Sequence, residues 1–331
     1  MSRPTKLQLA HLPTPLWHNA ALDALVGCEV WVKRDDMTGG AEAGNKLRKL
    51  EYLLADALRS ASTVVLTCGA VQSNHARATA LSARGLGLGA VLLLRHSGDS
   101  APPLQLGNAL LDRLVGAELR LITPQQYASR DALLSEASAS CRALGERPYV
   151  IPEGGSNGLG ALGYVDAMAE VAAQLRAGQA GGSPFDAVVH AAGSGGTAAG
   201  LVLGARLHGV ASEVWSIAVC DDAEYFERVT ARICAEAELL DPTLSGRRAE
   251  LRVFEHARGP SYGQCNDEQL SFIVQVARAC GLMLDPVYTG KALFGLARLA
   301  QKPRRALFIH TGGLPGLLAE GPAFEATLAA G

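Results

Sequence analysis

The sequence predicts an α/β fold in which mainly parallel sheets are covered by helices. Short apolar runs of strand length alternate with helical patterns along all 331 residues. Glycine is abundant, with 37 residues, whereas aromatic residues make up only 5% of the chain. This composition favours a helix-rich α/β protein with many tight turns over an all-β or disordered chain. The length is sufficient for two compact domains that share a cleft.

Each element is predicted from its own local pattern. Strands are expected where a short apolar run is bounded by turn residues, at 29–32, 63–67, 89–94, 118–122, 149–151, 187–190, 214–219, 251–254 and 305–310. Helices are expected where apolar residues recur at helical spacing, beginning near Asn45, Asn74, Leu104, Gln126, Leu159, Gly196, Ala223, Asp267, Lys291 and Leu314. Neither an internal repeat nor a low-complexity tract interrupts this alternation.

Charge and cysteine usage narrow the class of partner and the compartment. The net charge is −2 and the basic residues are scattered, so neither a nucleic acid nor a membrane surface is an expected partner. A small molecule or a second copy of the chain is expected instead. The 7 cysteines lie far apart and show no zinc-ligand spacing, which indicates a reducing compartment. Because no apolar run reaches the length of a signal peptide or membrane span, we expect a cytoplasmic protein.

Four glycine-rich junctions follow predicted strands. They begin at Cys68, Pro152, Ala192 and His310. Ligands of open α/β sheets bind at the carboxyl ends of parallel strands. We therefore expect these junctions to line one cleft.

The third junction has the features of a phosphate-binding loop. It reads Gly193-Ser194-Gly195-Gly196-Thr197, follows a buried strand and opens a helix, so backbone N–H groups and the helix dipole favour an anion there. It is not a P-loop, because no Gly-Lys-Ser/Thr ending is present. A dinucleotide fingerprint is also excluded, because the six residues from Gly193 read Gly-Ser-Gly-Gly-Thr-Ala and do not give the Gly-x-Gly-x-x-Gly spacing. A plain tight turn is the alternative interpretation of this segment.

Lys46 is the candidate for covalent chemistry. It lies in Gly44-Asn45-Lys46-Leu47-Arg48, at the first turn of a predicted helix that follows a charged strand end. Desolvation or a neighbouring cation can lower the pKa of an amine enough for it to form a Schiff base. Taken alone, the stretch fits a solvated surface lysine better. Combined with the glycine loop, however, pyridoxal 5′-phosphate explains both features with one cofactor.

Several further motifs, in their order along nearly the whole chain, resemble the fold-type II pyridoxal-phosphate enzymes. The resemblance is to the branch that contains D-cysteine desulfhydrase and 1-aminocyclopropane-1-carboxylate deaminase. The motifs are Gln72-Ser73-Asn74-His75, Gly154-Gly155-Ser156-Asn157, Gly259-Pro260-Ser261-Tyr262-Gly263, Asp285-Pro286-Val287-Tyr288-Thr289 and His310-Thr311-Gly312-Gly313.

The resemblance implies a fold and an assembly. The fold is the two-domain, tryptophan synthase β-like one, with the cofactor in the cleft between the domains. Residues 1–48 and 165–331 would form the large domain and residues 49–164 the small one. A homodimer is expected from the same resemblance.

The resemblance also implies the cofactor contacts. Lys46 would hold the cofactor aldehyde as a Schiff base and act as the base once substrate has displaced it. Asn74 would hydrogen-bond the 3′-oxygen of the cofactor, and residues 193–197 would hold its phosphate.

Substrate contacts follow in the same way. Ser73, with Gln72 and Asn74, would bind the substrate carboxylate, while Tyr262 and Tyr288 would orient the substrate and assist proton transfer or the leaving group. Outside these motifs, Ser73 would more often cap a helix and the tyrosines would more often be packing residues. His75 and His310 are expected to be structural.

Thr289 and Thr311 favour one reaction within the branch. The deaminase pattern has glutamate and leucine at these positions, whereas the desulfhydrase pattern has the residues found here. A hydroxyl facing the pyridine nitrogen leaves the ring largely neutral, which suits elimination. We therefore expect D-cysteine to be converted to pyruvate, hydrogen sulfide and ammonia. The alternatives are an L-cysteate sulfo-lyase, then the cyclopropane deaminase and, in other classes, a catalytically idle pyridoxal-phosphate or small-molecule binding protein and a nucleotide-binding α/β protein.

Overall fold

The computed structural model describes residues 3–96, 98 and 102–329. Its strands are β1 (Leu16–His18), β2 (Glu29–Lys33), β3 (Val64–Ala70), β4 (Gly89–Arg95), β5 (Glu118–Ile122), β6 (Pro148–Val150), β7 (Phe185–Ala192), β8 (Ala211–Ala218), β9 (Glu250–Phe254) and β10 (Arg305–Ile309). Its α-helices are α1 (Ala20–Val26), α2 (Asn45–Arg59), α3 (Asn74–Gly85), α4 (Gly107–Leu114), α5 (Pro124–Ala128), α6 (Arg130–Ala143), α7 (Gly158–Arg176), α8 (Gly196–His208), α9 (Ala223–Leu240), α10 (Asp267–Cys280), α11 (Thr289–Arg298), α12 (Leu314–Ala319) and α13 (Gly321–Ala329).

The strands form two separate sheets. The larger sheet has 6 strands in the order β1-β2-β10-β7-β8-β9, and only the β1–β2 pair is antiparallel. The smaller sheet has 4 parallel strands in the order β5-β4-β3-β6. The predicted domain boundaries at 48/49 and 164/165 would separate these two sets of strands, and the boundaries themselves stay a prediction.

Apolar clusters cover both faces of each sheet. Helices α7, α8 and α9 pack on one face of the larger sheet, and α1, α10 and α11 pack on the other. Helices α2, α3 and α4 cover one face of the smaller sheet, while α6 covers the opposite face. Such burial on both faces explains why the central strands are continuous apolar runs without alternation.

Three elements were not predicted from the sequence. Strand β1 has only 3 residues, and α1 has 7 residues, of which Leu22 and Val26 are buried. Such short elements show too few apolar positions for a periodicity to stand out. The short terminal helix α13 was missed as well, with Phe324 as its buried residue.

The predicted starts of α7 and α11 lie within two residues of the observed ones, whereas two other helix predictions differ more from the structure. Helix α4 begins at Gly107 instead of Leu104, because Leu106 is still extended. The helix predicted near Gln126 is two helices, α5 and α6, and Thr123 caps the first of them.

The start of α2 is fixed against the end of β10. The Asn45 N–H donates to the Thr311 carbonyl oxygen at 3.0 Å. Gly44, just before the helix, has φ +130°, and a Cβ there would lie 2.9 Å from that same oxygen. A glycine is therefore needed where the chain enters the helix that carries Lys46.

A buried charge network lies beneath the first turns of α2. The Arg48 guanidinium contacts the Asp35 carboxylate at 2.8 Å and the Glu170 carboxylate at 3.1 Å. Lys33 also pairs with Glu170. Although burial opposes ionisation, Arg48 holds the pKa of Asp35 below its usual 3.8. The network thus ties the first turns of α2 to β2 and α7.

Neither a membrane span nor a metal cluster is found in the part of the chain that the structure describes. None of its helices is long and apolar enough to cross a bilayer. No group of three or more His, Cys, Asp and Glu side chains in that part is arranged to hold a metal ion.

Candidate functional site

One cleft receives strand ends from both sheets. Its empty volume, including the part open to solvent, is about 670 Å³, which suits a cofactor with a small substrate. Its lining includes Asn45, Lys46, Ser73, Asn74, His75, Glu153, Gly154, His190, Gly193, Ser194, Gly195, Thr197, Tyr262, Tyr288 and Thr311. All four glycine-rich junctions contribute to this lining, as the sequence predicted.

Lys46 presents its amine to this cleft from the first turn of α2. None of the described residues hydrogen-bonds or pairs with this amine. Burial lowers the pKa of Lys46 to about 8, and the Glu153 carboxylate only partly opposes that effect. A substantial fraction of the amine is therefore neutral, and so nucleophilic, near neutral pH.

The N-terminus of α3 forms a second part of the site. The Ser73 hydroxyl accepts a hydrogen bond from the Ala76 N–H at 3.2 Å, so this serine caps the helix and also lines the cleft. Its own proton remains available to a ligand. The N–H groups of Asn74 and His75, in the first turn, have no intrahelical acceptor. A carboxylate would be stabilised at this helix end.

The glycine loop between β7 and α8 forms the third part. Gly195 has φ +81°, and a Cβ there would lie 2.7 Å from Val229 Cγ1. The Thr197 hydroxyl accepts a hydrogen bond from Asn45 Nδ2 at 3.1 Å, which links the loop to the start of α2. The loop lies at the positive end of α8, where an anion would be stabilised, and Gly193, Ser194, Gly195 and Thr197 line the cleft.

Tyr262 and Tyr288 form the fourth part as a hydrogen-bonded pair. Their hydroxyl oxygens are 2.6 Å apart, and their rings meet edge to face. Burial raises the pKa of Tyr262 to about 12 and that of Tyr288 well above its usual value. Both phenols are therefore protonated at neutral pH. Because one hydroxyl donates to the other, the accepting hydroxyl keeps a proton that it can give to a ligand.

Three of the predicted site residues lie outside the lining. The Gln72 side chain is engaged by the start of α4, where it accepts from the Asn108 N–H at 2.8 Å. The Gly196 N–H donates to the Ser156 hydroxyl at 3.3 Å. The Thr289 hydroxyl, fully buried, donates to the Asp285 carboxylate at 2.6 Å. The roles assigned to these three stay predictions from the resemblance.

Lys49 lies beside the cleft without lining it, and sequence reasoning assigned it no role. Its amine is buried and donates to the Gly154 carbonyl oxygen at 3.1 Å. A Cβ on Gly196 would lie 2.9 Å from this amine, so Lys49 flanks the start of α8. Burial, together with the charge of Lys46, lowers its pKa well below the usual value. Its position one helical turn after Lys46 was the available signal.

Glu153 and His75 also line the cleft. Glu153, to which the sequence assigned no role, contacts the Tyr127 hydroxyl and the Arg130 guanidinium. His75 lines the cleft, and its Nε2 is 2.8 Å from the Thr67 hydroxyl. His310 contacts the Met283 carbonyl at 2.8 Å. Both histidines are thus hydrogen-bonded within the protein, and the structural roles expected for them stay predictions.

The cleft suits a ligand that joins an aldehyde to a phosphate. An unpaired amine for the aldehyde and a glycine-lined helix N-terminus for the phosphate lie in the same space. Lys49 adds a buried amine beside that helix end, where a phosphate dianion would stabilise its charged form. His75 Nδ1 is buried without a hydrogen-bond partner in the described part of the chain. These residues fit pyridoxal 5′-phosphate.

Comparison with known proteins agrees with that fit. Residues 7–312 match the family model described as pyridoxal-phosphate dependent enzyme. A relative in Arabidopsis thaliana, named as a mitochondrial bifunctional D-cysteine desulfhydrase/1-aminocyclopropane-1-carboxylate deaminase, is 43% identical over 322 residues, covering 93% of this chain and 78% of its own. A Pyrococcus abyssi protein, named provisionally as a 1-aminocyclopropane-1-carboxylate deaminase, is 39% identical over 96% of this chain and 94% of its own.

A solved structure is also similar across the whole chain. It is described as an ACC deaminase homologue and superposes with a TM-score of 0.87 at 38% identity, covering 98% of this chain and 96% of its own. The predicted fold class and the predicted cofactor are thereby confirmed. The predicted cytoplasmic location stays a prediction. The chain belongs to the fold-type II pyridoxal-phosphate-dependent enzymes, in the family of D-cysteine desulfhydrase and 1-aminocyclopropane-1-carboxylate deaminase.

Proposed function

We propose that this enzyme catalyses α,β-elimination of D-cysteine, giving pyruvate, hydrogen sulfide and ammonia. The observation that carries the proposal is that one cleft contains both an unpaired lysine amine of lowered pKa and a protonated tyrosine pair. The first can remove the α-proton of an amino acid, and the second can protonate what leaves from its β-carbon. Pyridoxal phosphate, when bound, supplies the electron sink that makes the α-proton acidic.

Lys46 has two roles in this proposal. Its neutral amine would anchor the cofactor and, once the amino acid has displaced it, the same amine would accept the α-proton. A pKa of about 8 places the amine close to the operating pH, where a group exchanges protons most effectively. Ser73 and the first-turn N–H groups of α3 bind the substrate carboxylate and so hold the α-carbon near Lys46.

The loop at residues 193–197 and Lys49 would fix the phosphate end of the cofactor. Asn74, the first residue of α3, would contact its 3′-oxygen. Because these groups come from α2, α3 and α8, the cofactor ring would be held from several sides. Such fixed contacts keep the reacting carbon in one position relative to Lys46.

Tyr262 and Tyr288 act at the leaving group. The β-carbon loses sulfur as hydrosulfide, and the free proton of the tyrosine pair is available to it. The enamine left behind takes up water and releases pyruvate and ammonia. Cysteine plus one water equals pyruvate, ammonia and hydrogen sulfide, so the atoms balance without an oxidant.

Two threonines favour D-cysteine over the cyclopropane substrate. Thr311 lines the cleft at the position where the deaminase pattern has leucine. Thr289 replaces the glutamate of that pattern, and its hydroxyl is bonded to Asp285. The strongest electron sink, a pyridinium held by a carboxylate, therefore lacks its partner at this position. Deamination of 1-aminocyclopropane-1-carboxylate is the second candidate, because the Arabidopsis relative is named for both activities.

A product panel tests the proposal. The cofactor-loaded enzyme is incubated separately with D-cysteine, L-cysteine, L-cysteate and 1-aminocyclopropane-1-carboxylate, and ketoacid, ammonia, sulfide and sulfite are measured. We expect pyruvate and sulfide from D-cysteine, and no product with the Lys46→Ala variant. Pyruvate with sulfite from L-cysteate alone would assign a sulfo-lyase instead. 2-Oxobutyrate as the main product would show that Thr289 and Thr311 do not determine which reaction occurs. The absence of product from all four substrates would favour a catalytically idle binding protein.

A further inference from the structure

Asn108, at the second residue of α4, is fully buried next to the cleft without lining it. Its side-chain nitrogen Nδ2 donates to the Gln72 carbonyl oxygen at 2.9 Å and to Asn74 Oδ1 at 3.1 Å. Its backbone N–H donates to Gln72 Oε1 at 2.8 Å. Asn108 therefore hydrogen-bonds both Gln72 and Asn74, the residues on either side of Ser73.

These bonds determine which way the Asn108 amide points. The Gln72 carbonyl is a backbone acceptor and cannot donate, so the group facing it must be the Asn108 NH2. The second hydrogen of that NH2 points to Asn74, and therefore the Asn74 atom facing it must be its oxygen. The opposite arrangement would place oxygen against oxygen in a site without solvent, which is costly.

The fixed orientation of the Asn108 amide also fixes the orientation of the Asn74 amide, which lines the cleft. Since Asn74 Oδ1 is occupied by Asn108, the Asn74 NH2 group is the end left for a ligand, and no described residue accepts a hydrogen bond from it. Asn74 lines the cleft and is only 9% exposed. A donor held in one direction at low dielectric binds an oxyanion more strongly than a freely rotating amide does.

We propose that Asn108 is a positioning residue that locks the Asn74 amide with its NH2 group towards the 3′-oxygen of the cofactor. This inference rests on the proposed role of Asn74 and goes beyond it, because it names the buried group that selects donor over acceptor at that position. Without the Asn108 side chain, the Asn74 amide could rotate and turn its own oxygen towards the negatively charged oxygen of the cofactor.

Asn108→Asp tests this directly, because it keeps the shape of the side chain and replaces the donor with an acceptor. The carboxylate would then draw the Asn74 NH2 group towards itself and turn the Asn74 oxygen into the cleft. We expect the apoprotein to bind pyridoxal phosphate about tenfold more weakly, the size of one lost hydrogen bond to a charged group. We also expect the visible absorption maximum of the bound cofactor to move, since the charge on its 3′-oxygen is less stabilised.

A double-mutant cycle with Asn74→Ala separates positioning from general loosening. If Asn108 acts through Asn74, Asn108→Asp will have no further effect on affinity or spectrum in the Asn74→Ala background. Asn108→Ser, which removes the lock without adding charge, serves if the aspartate variant folds poorly, and the same non-additivity is expected.

Arg84→Ala is the matched control for α4. The Arg84 side chain donates to the Val115 carbonyl at 2.9 Å and so secures the far end of the same helix without touching Asn74. It is expected to lower the unfolding temperature while leaving the cofactor spectrum unchanged. Wild-type affinity and spectrum in both Asn108 variants, or losses that add fully to those of Asn74→Ala, would overturn the inference. D-Cysteine turnover is not a readout here, so a different substrate would leave this result standing.

Discussion

At the scale of single residues, two lysines one helical turn apart have different surroundings. The Lys46 amine faces the cleft without a partner, whereas the Lys49 amine donates to the Gly154 carbonyl beside the start of α8. The first arrangement suits a nucleophile that must be neutral, and the second suits a cation that binds an anion. Burial lowers the pKa of both amines, but only Lys49 lies where a phosphate would restore its charge.

The lowered pKa of Lys46 predicts a pH profile for cofactor capture. Only the neutral amine attacks an aldehyde, so the rate at which apoprotein regains the absorbance of bound pyridoxal phosphate should rise with pH and level off above about 8. At pH 7 the rate should be about one tenth of its plateau. Stopped-flow absorbance measures it, and Lys46→Ala should regain no such absorbance. A rate still rising near the pKa of an ordinary lysine would contradict this profile.

The tyrosine pair predicts a leaving-group effect. Tyr288→Phe removes one hydroxyl of the 2.6 Å pair, and the kcat for D-cysteine should fall about 100-fold, a typical effect of losing an acid catalyst. β-Chloro-D-alanine expels chloride, which needs no proton, so its kcat should fall far less. Tyr262→Phe is the matched variant. Equal losses with both substrates would mean that the tyrosines orient the substrate without protonating the leaving group.

Sequence reasoning reached some of these residues and not others. Lys46 and the glycine loop carry local signals, a lysine at a helix start and a run of glycines after a strand. Lys49 carries only its position one helical turn after Lys46, and Asn108 carries no local signal. A buried amine or amide acquires its role through the strand ends and helices that fold against it. Thr289 shows the converse, since its motif was recognised but its hydroxyl turns to Asp285.

At the scale of elements, α2 depends on the buried charges beneath its first turns. Arg48 is 1% exposed and bonds both Asp35 and Glu170, and together with Lys33 it balances the charges of these two carboxylates. The Tyr164 hydroxyl adds a bond of 2.6 Å to Asp35. A buried pair of this kind contributes little compared with an apolar replacement of both partners, yet removing one partner alone is costly.

Arg48→Met should therefore destabilise the protein by about 3 to 5 kcal/mol, because it leaves the buried Asp35 carboxylate without the cation that pairs with it. Urea unfolding measures the loss. The matched control is Arg232→Met, which breaks the exposed pair with Glu236 and should cost less than about 1 kcal/mol. Equal losses of unfolding free energy in the two variants would show that the buried ion pair contributes no more to stability than the exposed one.

The same network predicts how the stability of the protein changes at low pH. The pKa of Asp35 is lower in the folded protein than its unfolded value of 3.8, despite the opposing effect of burial. Its contribution to stability is thus complete above pH 3.8 and is lost as the pH falls through the lower, folded value. Asp35→Asn should flatten the stability curve in that range. An unchanged slope there would mean that other carboxylates control acid unfolding.

Element prediction succeeded where patterns were long and capped. Helices α2, α3, α8, α9 and α10 begin at the predicted residues, and most of them follow a clear capping residue or glycine. Every predicted strand is present. The elements that were missed, such as β1, depend on pairing with a neighbour more than on their own residues.

At the scale of the whole molecule, the cleft joins two sheets that have separate cores. Ser73 and Asn74 follow a strand of the smaller sheet, while residues 193–197 and Thr311 follow strands of the larger one. A cofactor held by both sets of residues would couple the two halves. The homodimer expected from the resemblance stays a prediction.

This coupling predicts a stabilising effect of the cofactor. Ligand that binds only the folded state at 100 times its Kd adds about 2.7 kcal/mol, so the unfolding temperature should rise with pyridoxal phosphate concentration. Differential scanning calorimetry measures it, and a single transition is expected for the loaded enzyme. The Lys46→Ala variant should show a smaller rise. Two transitions that cofactor leaves unchanged would mean that it does not bridge the sheets.

The most direct test of the account is to find which lysine holds the cofactor. The loaded enzyme is reduced with borohydride, digested, and the peptide carrying the pyridoxyl group is sequenced by mass spectrometry. We expect the label on Lys46 and none on Lys49, and loss of the label in Lys46→Ala. A label on Lys49 in the wild-type enzyme would contradict the assignment of nucleophile and anion partner on which the proposed elimination rests.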